Sequence, residues 1–409
     1  MKRAYIYFFI LLLVACNNTD SKQSKVDYEA FCLLLEQAVN DKNDEFVDLV
    51  YDFDNLVNEV TKGIEAPEYY ENGFKEGFKK TYTPGIILLS SLGEDGYYKF
   101  LRMKSDNPPV GLFRVVSEMG VNYHEIHLNT DEEGDIVIED FYSYLEAELF
   151  SQGIRRLYII NLASEVEDFD HPIAEALPVI SEVAMLADGG KQKEAFEKIM
   201  ALPKSVLKQK IVLLIMLTLG NDLGKESLEV AAKKFKELYP DDPLINLKMM
   251  EFSFLARDTA QILNYIGKVQ SQIGYDPYLQ MLKATVIKDK QAAEAKKLLY
   301  ASLEKEPEND EFYWVLFDLL IQEKEYDKTI EWFGKMKEQF DENPADYLIY
   351  DGYQDFYKST PYLSWVKENP LHENPNLEID SLLKMFEKMR LEQEEHDHNH
   401  GHNHHGHSH

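Results

Sequence analysis

From residue 27 onward apolar side chains recur at three and four positions. Phe31, Leu34, Leu35 and Val39 form one stripe; after the polar stretch Asn40 to Asp44, the stripe continues through Phe46, Leu49, Val50, Phe53, Leu56, Val57 and Val60. That spacing puts them on one face of a helix. Beyond residue 96 the period shortens to that of strands: Tyr97 to Met103, Val110 to Val116, Val121 to Leu128 and Ile136 to Tyr144 are short runs rich in Val, Ile, Tyr and Phe. Turn sequences bound each of them, so four strands in meander order are expected. The strongest hairpin joins Asn122 to Leu128, through Asp131-Glu132-Glu133-Gly134-Asp135, to Ile136 to Phe141. From Pro172 the strand signals stop and amphipathic helices follow one another to residue 394. The expected fold class is an α+β N-terminal domain over residues 27–163, its helices packed on a curved antiparallel sheet, followed by an all-α helical-repeat solenoid over 172–394.

Ala195, Leu228, Ile262, Ala295 and Thr329 lie 33, 34, 33 and 34 residues apart. In the same register, four residues later, come Ile199, Ala232, Ile266, Leu299 and Phe333; twelve residues earlier come Val183, Met216, Met250, Lys283 and Phe317. Such a period marks stacked supersecondary units that bury a face only against their neighbours. With the local stretches Gly190 to Ala195, Glu237 to Pro243, Leu303 to Asn309 and Glu325 to Ile330, the pattern resembles tetratricopeptide repeats. These set a small residue where paired helices approach. Met216, Met250, Lys283 and Phe317 are large where that family has a small one. A sixth, irregular pair is expected over Ala345 to Lys358 and Pro361 to Asn369, then an amphipathic helix over Leu377 to Glu394 that either caps the solenoid or binds a partner.

Helices first, then a sheet whose last strand ends Asp140-Phe141-Tyr142-Ser143-Tyr144, is an order that resembles the cone-shaped nuclear-transport-factor-type fold. The resemblance implies a pocket, and some relatives are enzymes with paired Asp/His or Tyr/Asp in it. The pocket candidates here are His124, Asp140 and Tyr142. Strand alternation puts His124 with Ile126 and Leu128, and His127 on the other face with Tyr123 and Glu125, so the two histidines do not share one ion. The same alternation assigns Ile138, Asp140 and Tyr142 to one face, a carboxylate among apolar neighbours.

The chain opens with Lys2 and Arg3, an apolar run Ile6 to Val14, then Ala15-Cys16. This is the layout of a secretory signal too short to span a bilayer. Leu13-Val14-Ala15-Cys16 resembles the bacterial lipobox, which implies cleavage after residue 15 and lipidation of Cys16, with residues 16–26 a flexible tether. The implied location is the cell envelope, anchored in the outer membrane facing the periplasm, with surface exposure left open. Cys32 then remains the only thiol; its apolar helical setting suits a buried, inert side chain.

Charge narrows the partners. With 43 Lys+Arg against 73 Asp+Glu, the net charge is −30, which argues against nucleic acid. The tail 395–409 has the opposite kind of chemistry: His396, His398, His400, His402, His404, His405, His407 and His409 hold eight of the twelve histidines among small polar residues. Neutral imidazoles at that spacing wrap a borderline cation, so Zn²⁺, Ni²⁺ or Cu²⁺ is the expected ligand of the tail and no other cofactor is expected. Gly-rich phosphate loops, His-Glu-x-x-His helices and Ser/His/Asp order are missing from the sequence, so no enzyme is expected. The leading expectation is a lipid-anchored module that binds another envelope protein through its repeats; the runner-up is a metal-binding or metal-supply protein led by the tail.

Overall fold

The structure, a computed structural model, describes residues 26–370 except positions 82, 119, 167, 168, 170 and 349, and in addition Lys384 and Lys388. Cys16, most of the helix expected over 377–394 and the eight tail histidines lie outside the described residues. The chain divides into two compact units, Met1–Leu244 and Ile245–His409. That division falls inside the helical run, not between residues 163 and 172 where the sequence period changes.

In the first unit, α1 (Tyr28–Asn40), α2 (Asp44–Leu49) and α3 (Phe53–Thr61) each start on a side-chain cap, Asp27, Asn43 and Asp52 respectively, which satisfies an otherwise orphaned amide. The single stripe expected from Phe46 to Val60 is therefore two helices. Between them the Ile138 amide donates to the Val50 carbonyl at 2.7 Å and the Asp52 amide donates to the Ile138 carbonyl at 2.8 Å. A bridge to the sheet and a capping aspartate outweigh the unbroken apolar period. Two further helices, α4 (Glu68–Thr81) and α5 (Pro84–Ser90), precede the sheet.

The sheet is antiparallel, in the order β1 (Tyr97–Asp106), β2 (Pro109–Ser117), β3 (Gly120–Thr130), β4 (Ile136–Ser143) and β5 (Glu148–Leu149). The four expected strands stand in meander order, and a fifth of only two residues, too short to show alternation, pairs with β4. Helix α6 (Phe150–Glu165) follows directly. Helix α1 packs on β1 and β2 so closely that a Cβ on Gly111 would stand 2.7 Å from the Cys32 Sγ, so glycine is required there. Cys32 is fully buried near Met103, and burial pushes its thiol up to about 12. It is a core residue with no thiolate to offer. Around it Leu35, Val39, Leu56, Phe113, Ile126 and Ile138 form the core of this unit.

The alternation expected along β4 fails at one point. His127 pairs with Asp140 and Leu128 with Ile138, so Glu139 is an extra, bulged residue. Cross-strand partners share a face. Ile138 therefore joins Leu128, Ile126 and the core, while Asp140 and Tyr142 stand on the opposite face with His127 and Glu125. The expectation that Ile138 shares a face with Asp140 is corrected by this bulge.

The helical run continues through α7 (Pro172–Asp188), α8 (Gln192–Met200), α9 (Lys204–Leu207), α10 (Lys210–Leu223) and α11 (Lys225–Leu238). In the second unit come α12 (Leu244–Leu255), which begins at the division, α13 (Thr259–Ile273), α14 (Pro277–Ile287), α15 (Ala292–Lys305), α16 (Asp310–Gln322) and α17 (Tyr326–Phe340). Helices α7 and α8, α10 and α11, α14 and α15, and α16 and α17 pack as hairpins. Ala195, Leu228, Ile262, Ala295 and Thr329 are all buried, as are Ile199, Ala232, Ile266, Leu299 and Phe333. Of the third set, Val183, Met216, Met250 and Phe317 are buried, but Lys283 is half-exposed and Ala284 is buried completely in its place. The small residue needed for close helix approach is thus present one position later than the period places it.

After α17 the expected long helix over Ala345 to Lys358 is broken into α18 (Pro344–Tyr347), a 3₁₀ turn (Asp351–Tyr353) and α19 (Gln354–Tyr357), and α20 (Thr360–Glu368) follows. The break is held by Tyr357, whose hydroxyl donates to the Leu348 carbonyl at 2.9 Å and accepts from the Tyr350 amide at 2.9 Å. Phe333 anchors this end, with ring centroids 4.8 Å from Phe317, 6.0 Å from Phe356 and 5.7 Å from Trp365. Among the described residues no helix is long and apolar enough to cross a membrane.

Candidate functional site

His124 sits on β3 among core residues and lines a cavity of about 280 Å³ whose other walls include Phe141, Ser143, Phe150, Ile154 and Leu157. Its Nδ1 is 3.4 Å from the Tyr98 hydroxyl and its Nε2 3.3 Å from Asn122 Nδ2. Asn122 Nδ2 also donates to Ser143 Oγ at 3.0 Å, and Asn122 Oδ1 accepts from the Leu145 amide at 3.0 Å. The polar atoms of the floor are therefore bonded to one another. Burial holds the imidazole pKa down at about 3, so the ring is neutral at ordinary pH and lacks the basicity of a general base.

Asp140 and Tyr142 do not line this cavity. Asp140 Oδ2 accepts from Ser151 Oγ at 2.5 Å, and Oδ1 accepts from the Ser151 amide at 3.2 Å and the Tyr51 hydroxyl at 3.3 Å. Ser151 is in the first turn of α6, so Asp140 acts as the cap that Leu149 lacks a polar side chain to provide. Burial raises the Asp140 carboxyl, and the bonds from Ser151 and Phe141 pull it back. Tyr142 points its hydroxyl at Asp242, which also holds Lys210 Nζ at 2.6 Å; Lys210 Nζ donates in turn to the Ala147 carbonyl. Burial and the Asp242 carboxylate push the Tyr142 hydroxyl well above its ordinary value. Of the pocket candidates, the structure puts His124 at a cavity and makes the other two structural. Ser143, which lines the cavity, and Asn122 and Tyr98, which bond His124 from behind, carried no sequence signal, because an isolated polar residue on a strand reads as surface until its cross-strand neighbours are known.

Among the described residues no group of three or more His, Cys, Asp or Glu stands close enough to hold a metal ion. In the second unit several charged side chains pair across the helical run, and others pair within one turn. Asp318 takes Lys288, the Tyr353 hydroxyl at 2.5 Å and Gln322 Nε2 at 2.8 Å, and Glu325 takes Lys296 and Lys328. Large side chains left facing water include Tyr347 at 58% and Tyr350 at 59% exposure.

Residues 286–348 match a model of the tetratricopeptide repeat family. Among solved structures, the crystal structure of PilW, described as a widely conserved type IV pilus biogenesis factor, is similar at 15% identity and a TM-score of 0.33, over 51% of this chain and 97% of that one. No curated protein matches the chain by sequence. The family match covers the helices from α15 to α18 of the helical run.

Proposed function

We propose that this is a non-catalytic interaction module of the cell envelope, anchored through a lipid on Cys16 and binding another envelope protein through its helical repeats. The observation that carries the reading is the stripe recurring at 33 and 34 residues, buried at Ala195, Leu228, Ile262, Ala295 and Thr329, with the family match lying across its later members. Repeats that bury their apolar faces against each other leave their outer faces for a protein partner. Tyr347 and Tyr350 are candidate anchors, since exposed tyrosines often carry interface energy. Lipidation rests on the sequence Leu13-Val14-Ala15-Cys16.

The test is cross-linking and affinity capture of the full chain from membranes, wild type beside Tyr347→Ala/Tyr350→Ala. One discrete protein captured by the wild type and depleted by the variant, at an unchanged melting temperature, supports the reading; identical capture profiles sink it. A second reading, metal supply led by the tail, is favoured by one observation, the eight histidines between residues 396 and 409.

A further inference from the structure

Two cavities of the first unit share one ion pair. Glu148 and Arg156 line both the apolar cavity above His124 and a second cavity of about 440 Å³. Arg156 Nη1 lies 2.5 Å from each carboxylate oxygen of Glu148. On one side of the pair the walls are Ile87, Leu88, Phe141, Phe150 and Ile154, and the mouth also carries Glu146. On the other side are Arg155, Lys208 and Lys210, with Gln152, Gln209 and Tyr239.

The second cavity reverses the sign of the chain. In a protein of net charge −30, four Arg or Lys side chains meet one carboxylate among the described residues of the lining. Asp242 behind Lys210 is a second carboxylate, which leaves an excess of two positive charges among the described residues. Arg155 spends Nη1 on the Glu59 and Val60 carbonyls, at 3.2 and 2.8 Å, which leaves its charge unneutralised by those bonds. Gln209, Lys210 and Ile211 also bring the first turn of the fourteen-residue helix α10 to this wall, with no side-chain cap on its amides. Cations and an open helix start both favour anionic oxygens.

We propose that the two cavities are one site for an amphipathic anion, its single apolar chain beside Phe141 and Ile154 and its anionic head on the basic side, reached past Arg156. At roughly 30 Å³ for each water-sized group, a cavity of about 280 Å³ takes a chain on the order of nine carbons. The chain end meets a floor whose polar atoms already bond each other, so it leaves none of them newly orphaned. Of the two carboxylates, Glu146 lines the apolar cavity alone, and the basic residues Arg155, Lys208 and Lys210 line the other alone, which sets the orientation. Both described bonds to Glu148 use Nη1, so Arg156 keeps donors for a second carboxylate or a phosphate.

The test is titration calorimetry of the full chain with decanoate, decyl phosphate, decanol and inorganic phosphate. Expected is binding of one decanoate or decyl phosphate, at least tenfold tighter than decanol or inorganic phosphate, because only the amphipathic anions use both halves. A tenfold preference between the two anions identifies the head as carboxylate or phosphate. Arg156→Gln and the exposed-site change Lys208→Glu should each weaken the anions severalfold and leave decanol unchanged. Leu157→Trp, at a rim position 44% exposed, should block every chained ligand without lowering the melting temperature. Decanol binding as tightly as decanoate, inorganic phosphate binding as tightly as decyl phosphate, or no binding by either anion overturns the proposal. If Arg156→Gln melts early, Lys208→Glu decides alone.

Discussion

The Tyr142 hydroxyl donates to both carboxylate oxygens of Asp242, at 3.1 Å each, across 100 residues of sequence. With Lys210 Nζ 2.6 Å from Asp242 Oδ2, the last long strand of the sheet is tied to the turn after helix α11. The sheet and the first repeats therefore belong to one compact unit, although the sequence period divides them.

Removing the hydroxyl should be measurable. Tyr142→Phe is expected to cost about 1.5 kcal/mol, the scale of a hydrogen bond to a charged acceptor, and so to lower the melting temperature by about 4 °C. Asp242→Ala should cost more, about 3 kcal/mol, because it orphans the half-buried Lys210 as well. Differential scanning calorimetry of the single and double variants checks both numbers. Strict additivity would show that the two groups do not interact.

His124 sets an acid limit. Its folded pKa, about 3, is depressed below the ordinary 6.5, so its contribution is present above pH 6.5 and is lost as pH falls from there toward about 3. In that window the unfolded chain binds a proton the folded one refuses, a slope of about 1.4 kcal/mol per pH unit. Asp140 acts in the opposite sense: its raised carboxyl stabilises most below its ordinary 3.8 and less as pH rises through the raised value. Denaturant midpoints of wild type and His124→Asn between pH 7 and 4.5 isolate the histidine. The variant should show a shallower fall, and parallel curves would contradict the buried neutral ring.

The repeat register makes a paired forecast. Lys283→Ala should leave stability within about 0.5 kcal/mol, whereas Ala284→Leu, at a site with no exposed surface, should overpack the helix hairpin and cost about 2 kcal/mol. Urea unfolding of the two variants distinguishes them. Equal effects would mean that helix α14 is rotated from the orientation described.

The tail should hold the metal. Deleting residues 396–409 removes eight of twelve histidines and is expected to abolish most Zn²⁺ or Ni²⁺ uptake, leaving the melt of the metal-free protein unchanged. Binding by the full chain should weaken from about pH 7.5 to about 5.5 as imidazoles protonate. Calorimetry at both pH values checks this. Stoichiometric Zn²⁺ binding by the truncated chain would move the ligands to the folded body.

By itself the sequence determined the order of the elements. Apolar spacing of two and of three to four is a local property of the chain, so it marked the strands from Tyr97 to Ser143, the helical run from Pro172 and the repeat stripe, because burying one face requires those periods whatever the partner is. It also placed His124 with Ile126 and Leu128 on the buried face, since alternation holds along an undisturbed strand. Tertiary structure decided what local periodicity does not encode. One bulged residue, Glu139, moved Asp140 and Tyr142 to the face opposite Ile138; a bridge from Val50 and Asp52 to Ile138 split one helix into two; and pairing over 100 residues gave Tyr142 its partner. The two cavities that share Glu148 and Arg156 arise in the same way, from a two-residue strand, a helix start and side chains as distant in sequence as Glu148 and Tyr239, a conjunction that exists only once the chain is folded.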